Sequence, residues 1–271
     1  MPMRSLLFVP GDRPDRMAKA ATTGADALIL DLEDAVTLER KPHAREAIAA
    51  FLAEPCGCAR LVRVNPLDSG LFEADLAAIM PARPDGLVLP KAEGAASVAR
   101  LPEGVPILPI ATETPAAIFQ LGSYATAADR LLGLTWGAED LPAAIGAATS
   151  READGRFTPP YELARSLTLF GAHAAGVAAI ETVFPDFRDL DALAAYAARG
   201  RRDGFTGMMA IHPAQVPVIN AAFTPSEAEL DHARRVVAAF EANPGAGALA
   251  LDGKMIDAPH LKAARRVLGL D

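Results

Sequence analysis

Eight short apolar runs, spaced by segments of helical pattern, each end in residues fit for chemistry. They are Leu6 to Val9, Ala27 to Leu30, Leu61 to Val64, Leu87 to Leu89, Ile107 to Ala111, Leu131 to Trp136, Ala178 to Glu181 and Met208 to Ile211. Continuous rather than alternating apolar runs mark strands buried on both faces, as a parallel sheet requires. Eight of them in 271 residues predict a TIM (β/α)₈ barrel, whose active site gathers at the C-terminal strand ends. The expected division is a barrel over residues 1–222 and a C-terminal helical lid extension over 223–271.

A chain that is 51% hydrophobic and 22% charged can fill one barrel core with a small appendage. Its net charge of −8 speaks against a nucleic-acid surface, because that affinity rests on neutralising phosphates with Lys and Arg. No run reaches the roughly 20 apolar residues of a membrane span, and with Met1 leading straight into the first strand no signal peptide is expected. Cys56 and Cys58 are poorly spaced for a disulfide and lack the four ligands of a closed zinc site. The expectation is a reduced, cytoplasmic protein.

The first helix is expected from Pro14 to Thr22, with Asp12 as N-cap. Arg16 and Lys19 lie three apart and share a face, either a solvated basic face or a clamp for a phosphate-bearing substrate. Further helices are predicted at Glu39 to Leu52, Leu71 to Met80, Pro115 to Tyr124, Tyr161 to Ala175 and Leu190 to Ala198, with Gly or Pro at most junctions. The polar stretch from Thr149 to Arg156 reads as an extended loop over the barrel mouth. Past His212-Pro213 come helices over Pro217 to Phe223, Glu229 to Ala242 and His260 to Leu268, with an extended piece from Leu251 to Pro259.

Glu113 and Asp140 end the fifth and sixth runs and should stand side by side. Two such carboxylates suit Mg²⁺, which leaves its other positions to water and substrate oxygens. A metal-free acid–base dyad and a pair of surface acids are the alternatives. Arg63, inside an apolar strand, needs an anionic partner: a substrate carboxylate or enolate, or a structural salt bridge to Asp31, Glu33 or Asp34. Those three acids read as supports that orient Arg63 or metal-bound waters. Lys91 invites comparison with a Schiff-base lysine, but nearby acids would hold it protonated. His212 is as well suited to a structural role as to ligand binding.

The segments Arg4-Ser5-Leu6-Leu7-Phe8-Val9-Pro10-Gly11, Leu30-Asp31-Leu32-Glu33-Asp34, Arg63-Val64-Asn65-Pro66, Leu89-Pro90-Lys91-Ala92-Glu93, Glu113-Thr114, Gly137-Ala138-Glu139-Asp140-Leu141, Ala210-Ile211-His212-Pro213 and Asp252-Gly253-Lys254-Met255-Ile256-Asp257 occur in family order. Together they resemble the citrate lyase β-subunit-like family of the HpcH/HpaI aldolase/citrate lyase superfamily. The resemblance implies a TIM-barrel lyase that cleaves a malyl-, citramalyl- or citryl-CoA type of thioester into acetyl-CoA and an oxo acid. It implies Mg²⁺ on Glu113 and Asp140, substrate binding by Arg63, and a catalytic Asp257 on a lid that reaches the neighbouring subunit of a homotrimer or hexamer. Phe8 and Lys19, with Arg16 added on spacing, are implied CoA contacts, and Ile211 and His212 are further substrate-binding candidates. Two departures stand out: Thr112 where many relatives carry Ile before the Glu-Thr pair, and Met208 where many carry Lys. The same resemblance leaves open a citrate lyase β subunit working on an acyl-carrier thioester, malyl-CoA thioester hydrolysis, malate-synthase-like condensation, and a non-catalytic CoA-binding module.

Overall fold

The computed structural model describes residues 3–270. The chain divides into two compact units, one ending at Phe223 and the other beginning at Thr224. In the first, strands and helices alternate as β1 (Ser5–Pro10), α1 (Pro14–Ala20), β2 (Ala27–Asp31), α2 (Lys41–Ala53), β3 (Ala59–Arg63), α3 (Phe72–Ile79), β4 (Gly86–Leu89) and α4 (Ala95–Val98). The second half runs β5 (Ile107–Pro109), α5 (Pro115–Ile118), β6 (Gly133–Thr135), α6 (Asp140–Ile145), α7 (Pro159–Ala175), β7 (Ala178–Glu181), α8 (Leu190–Asp203), β8 (Gly207–Ala210) and α9 (Gln215–Phe223).

The eight strands pair in parallel in the order β5-β4-β3-β2-β1-β8-β7-β6. Bridges from Ile107 to Leu131 and from Ile110 to Thr135 then join β5 to β6 and complete a TIM (β/α)₈ barrel. Each predicted run is one of these strands. Side chains alternate across the wall. Leu6, Ile29, Leu61, Val88, Leu108, Ile180 and Met209 fill the interior, and Leu7, Leu28, Val62, Leu87 and Met208 pack outward under the helices. Burial on both faces is why the runs are continuous. The same parity sets Asp31 beside Arg63 in register on neighbouring strands, at the C-terminal end.

Several local expectations are corrected. Asp12 does not cap α1, which starts after Arg13 without a side-chain cap; its carboxylate instead accepts from Arg40 Nε at 2.6 Å. The helix expected over Pro115 to Tyr124 stops at Ile118, and 3₁₀ turns follow over Leu121–Arg130. Ser123 Oγ donates to Gln120 O and accepts from Ala95 N–H, local bonds that compete with a continued α-helix. The stretch after Ala147 is a pinned turn, and none of Thr149 to Arg156 lines the cavity at the strand ends. Arg151 pairs with Phe157 in an antiparallel bridge, and the buried Phe157 ring packs edge-on to Trp136 at 5.0 Å. This turn lines a groove with Tyr196 and Arg199 of α8. Cys56 and Cys58 are free thiols with sulfurs 3.4 Å apart.

The second unit holds α10 (Glu227–Glu241), a hairpin of β9 (Ala248–Leu251) and β10 (Lys254–Asp257), and α11 (Ala258–Val267). Ser226 and Glu229 form a capping box at the start of α10. Asp252 and Gly253 turn the hairpin at φ of 52° and 74°, left-handed values typical of a two-residue hairpin turn. Val236, Val237, Ile256 and Ala264 make its own small core. Among the described residues of both units, no helix is long and apolar enough to cross a membrane.

Candidate active site

A cavity of about 460 Å³ opens at the C-terminal ends of the strands. Its charged wall is built from residues far apart in sequence but adjacent around the barrel. Asp31, 1% exposed, grips Arg63 in two parallel bonds, Nε to Oδ1 at 2.7 Å and Nη2 to Oδ2 at 2.6 Å. Backbone N–H groups of Glu33 and Ala35 also donate to Asp31, fixing its plane. Arg63 Nη1 lies 2.8 Å from Glu33 Oε2 as a charge contact, although that buried oxygen accepts no hydrogen bond among the described residues. The guanidinium also rests 4.8 Å over the Phe8 ring. Burial works against this cation, yet its carboxylate partners raise its pKa above the usual arginine value. A structural salt bridge between Arg63 and Asp31 is therefore present. Asp31 takes two of five N–H donors, so the remaining fork still offers bonds to a ligand in the cavity.

Glu33 Oε1 accepts from Lys91 Nζ at 2.8 Å, and Lys91 Nζ also lies 3.3 Å from Asp140 Oδ1. Carboxylate contacts raise the Lys91 pKa despite partial burial. An ammonium held this way is a poor Schiff-base nucleophile, as the surrounding acids suggested. Burial pushes the Glu33 carboxyl up, against the opposing pull of Arg63 and Lys91.

Glu113, 4% exposed, accepts the Lys91 backbone N–H on Oε2 at 2.6 Å. Burial, assisted by the Asp140 and Glu33 charges, pushes its carboxyl up to about 8. Asp140, at the first turn of α6, keeps its side chain one-third exposed toward the cavity. Gly137 is a site residue that periodicity alone did not single out. A Cβ there would stand 2.7 Å from Glu113 Cγ, so only glycine lets the glutamate lie this close to the β6 end. Thr112 Oγ1 fixes that glycine, donating to its carbonyl at 3.2 Å and accepting its N–H at 3.1 Å. Thr112 thus clamps the backbone behind the glutamate.

Of the candidates, Phe8, Arg16, Arg63, Glu113, Asp140 and Ile211 line the cavity together. Lys19 lies outside its wall: α1 descends from the mouth, and three residues carry Lys19 roughly 4.5 Å further down than Arg16. His212 also lies outside; its ring stacks on Phe187 at 4.8 Å, and Nδ1 accepts from Ala214 N–H. Met208 is buried in the layer between barrel and helices, so the departure from lysine removes no cavity group. Glu181, at the end of β7, faces outward. It accepts from Trp136 Nε1, Tyr196 Oη and Arg165 Nε, the last at 2.7 Å, and is fully buried. In the second unit, Asp257 N-caps α11 and its Oδ1 sits 2.5 Å from His260 Nδ1. That contact holds the Asp257 carboxyl below the usual range.

A sequence model of the HpcH/HpaI aldolase/citrate lyase proteins matches residues 4–213, which run from the first strand to the end of the eighth. The chain belongs to the HpcH/HpaI aldolase/citrate lyase family. It is 38% identical over 272 residues to a (3S)-malyl-CoA thioesterase of Cereibacter sphaeroides, covering 98% of this chain and 94% of that protein. A citrate lyase subunit beta-like protein of Mycobacterium tuberculosis is likewise 38% identical, over 97% of this chain and 93% of its own length. The crystal structure of M. tuberculosis CitE in complex with magnesium, acetoacetate and coenzyme A superposes with a TM-score of 0.87 at 36% identity, covering 99% and 98% of the two chains. Family membership therefore extends from sequence to fold along nearly the whole chain.

Proposed function

We propose that this protein is an Mg²⁺-dependent carbon–carbon lyase that cleaves a β-hydroxyacyl-CoA of the malyl-, citramalyl- or citryl-CoA type into acetyl-CoA and an oxo acid. The observation that carries this is the convergence of Arg63, Glu113 and Asp140 on one cavity at the strand ends. The donor set fits the ion. Glu113 Oε1 has no hydrogen-bond donor among the described residues, and two carboxylates leave room for the water and substrate oxygens that Mg²⁺ retains. Crystals of M. tuberculosis CitE holding magnesium with coenzyme A support the same assignment here.

Glu113 and Asp140 would hold the metal, which when bound polarises the substrate's hydroxyl and carboxylate oxygens and eases loss of the hydroxyl proton. Cleavage sends the electrons of the carbon–carbon bond into a thioester enolate. Arg63, already oriented by Asp31, stabilises that developing charge without reorganising. Asp257, delivered by the C-terminal unit of a neighbouring copy in a trimer or hexamer, is the proposed proton carrier: in its protonated form it donates to the enolate carbon during cleavage, and that proton balances the one lost by the substrate hydroxyl. As the ionised partner of His260 it suits deprotonation of acetyl-CoA in the condensing direction. Phe8, Arg16 and Ile211 line the route for the thioester, with Lys19 and His212 as outer contacts. The name of the Cereibacter relative supports a second reading, hydrolysis of the malyl thioester on the same scaffold.

The deciding experiment offers malyl-, citramalyl- and citryl-CoA stereoisomers with Mg²⁺ and with excess EDTA, and identifies products. Acetyl-CoA with an oxo acid, abolished by EDTA, is the expected result. Free CoA with an intact hydroxy acid would establish the hydrolase, and inactivity on all with CoA bound would point to a carrier-dependent subunit.

The raised Glu113 carboxyl gives a test that needs no substrate. Metal binds the carboxylate, so below about pH 8 each Mg²⁺ bound should displace up to one proton from Glu113. Affinity should rise with pH up to about 8 and level off above it. In metal-free protein the sign is opposite for stability. A carboxyl raised from 4.5 to about 8 helps the fold most in acid and loses that contribution as pH rises through 8. Calorimetry in buffers of differing ionisation enthalpy reads the proton directly, and Mg²⁺ binding without proton release at pH 7 would show that Glu113 is already ionised in the metal-free protein.

A further inference from the structure

Lys91 touches both carboxylates assigned to the metal, by two different parts of itself. Its backbone N–H donates to Glu113 Oε2 at 2.6 Å, while its ammonium bonds Glu33 Oε1 at 2.8 Å and sits 3.3 Å from Asp140 Oδ1. The residue adopts φ of 50°, a left-handed backbone that an unbranched L side chain takes at a cost. Strain of this kind persists where surrounding bonds hold it, and it gathers at functional sites.

The ionic contacts form one linked chain of alternating sign: Asp31, Arg63, Glu33, Lys91, Asp140. Glu113 joins it through the Lys91 N–H. With Glu113 ionised, the form that binds metal, four carboxylates against two cations leave two negative charges in excess, the complement of one divalent ion. Without Lys91 the excess is three.

We propose that Lys91 is a positioning residue that sets the affinity of this site for its divalent cation. Its N–H fixes Glu113, and its ammonium shares Asp140 with the incoming ion, so that binding stays reversible and Asp140 stays aimed at the cavity. The inference rests on reading Glu113 and Asp140 as the metal carboxylates. A dication that shares a carboxylate with an ammonium is repelled by it, by on the order of tenfold in affinity even at the dielectric of water.

The sign of the effect separates this role from mere support. Titrating MgCl₂ by calorimetry into wild-type protein and into Lys91→Met should show the variant binding about tenfold more tightly, whereas Lys91→Arg, which restores the charge, should return to near wild-type affinity. Weaker or unchanged binding by folded Lys91→Met would overturn the proposal while leaving the metal site standing. Failure of the wild type itself to bind Mg²⁺ would overturn both. Should circular dichroism show Lys91→Met unfolded, Lys91→Gln carries the same expectation and is judged by the same outcomes.

Discussion

Replacing Asp140 by alanine should leave a folded protein that no longer binds Mg²⁺ and cleaves thioester at least about a thousandfold more slowly. The loss follows from the proposed chemistry: the metal's polarisation of the reacting oxygens contributes several kcal/mol, and each 1.4 kcal/mol is roughly a decade in rate. The fold should survive because the Asp140 side chain is one-third exposed and Lys91 keeps its bond to Glu33. The stability change should stay within about 1 kcal/mol, the range of an exposed ion pair and an acid at a helix start. Calorimetry with MgCl₂ and acetyl-CoA release measured side by side check both halves. Wild-type metal affinity in this variant would remove Asp140 from the site. Lys91→Met, one contact away, is expected to move metal affinity in the opposite direction, which no general loosening of the loop can imitate.

The second large effect lies on the other face of the barrel wall. Glu181→Ala should destabilise the protein by about 3–5 kcal/mol, because it leaves Arg165, itself 3% exposed, as a buried cation stripped of its closest partner. Asp203, 2.8 Å from Arg165 Nη1, retains part of the compensation. For a chain of this length such a loss lowers the melting temperature by roughly 10 °C. Trp136 Nε1 and Tyr196 Oη lose an acceptor in the same step. Denaturant melts compared with activity measured well below the transition separate stability from chemistry. A variant as stable as wild type but inactive would show that Glu181 belongs to the reaction rather than to the wall.

Glu181 and Glu113 illustrate how far a strand-end acid can be interpreted from the chain alone. Both end buried apolar runs. Alternation makes Glu181 an outward residue once β7 is known to start at Ala178, but a run apolar on both faces carries no mark of which side is inside. Only closure of the barrel distinguishes them. Lys19 shows the same limit on a helix: spacing puts it on one face with Arg16, whereas distance from the mouth depends on where α1 sits against β1.

Sequence by itself determined the eight strands, their parallel burial and the arrival of Arg63, Glu113 and Asp140 at one end, because these follow from local periodicity and the fixed direction of parallel strands. Residue order along the chain, read against known relatives, also determined the family. Tertiary structure alone decided the linkage of Asp31 through Arg63, Glu33 and Lys91 to Asp140, the need for glycine at 137, and the outward turn of Glu181. Those depend on contacts between residues tens of positions apart, at distances of a few ångströms, where a change of one atom alters the energy and no local pattern records it.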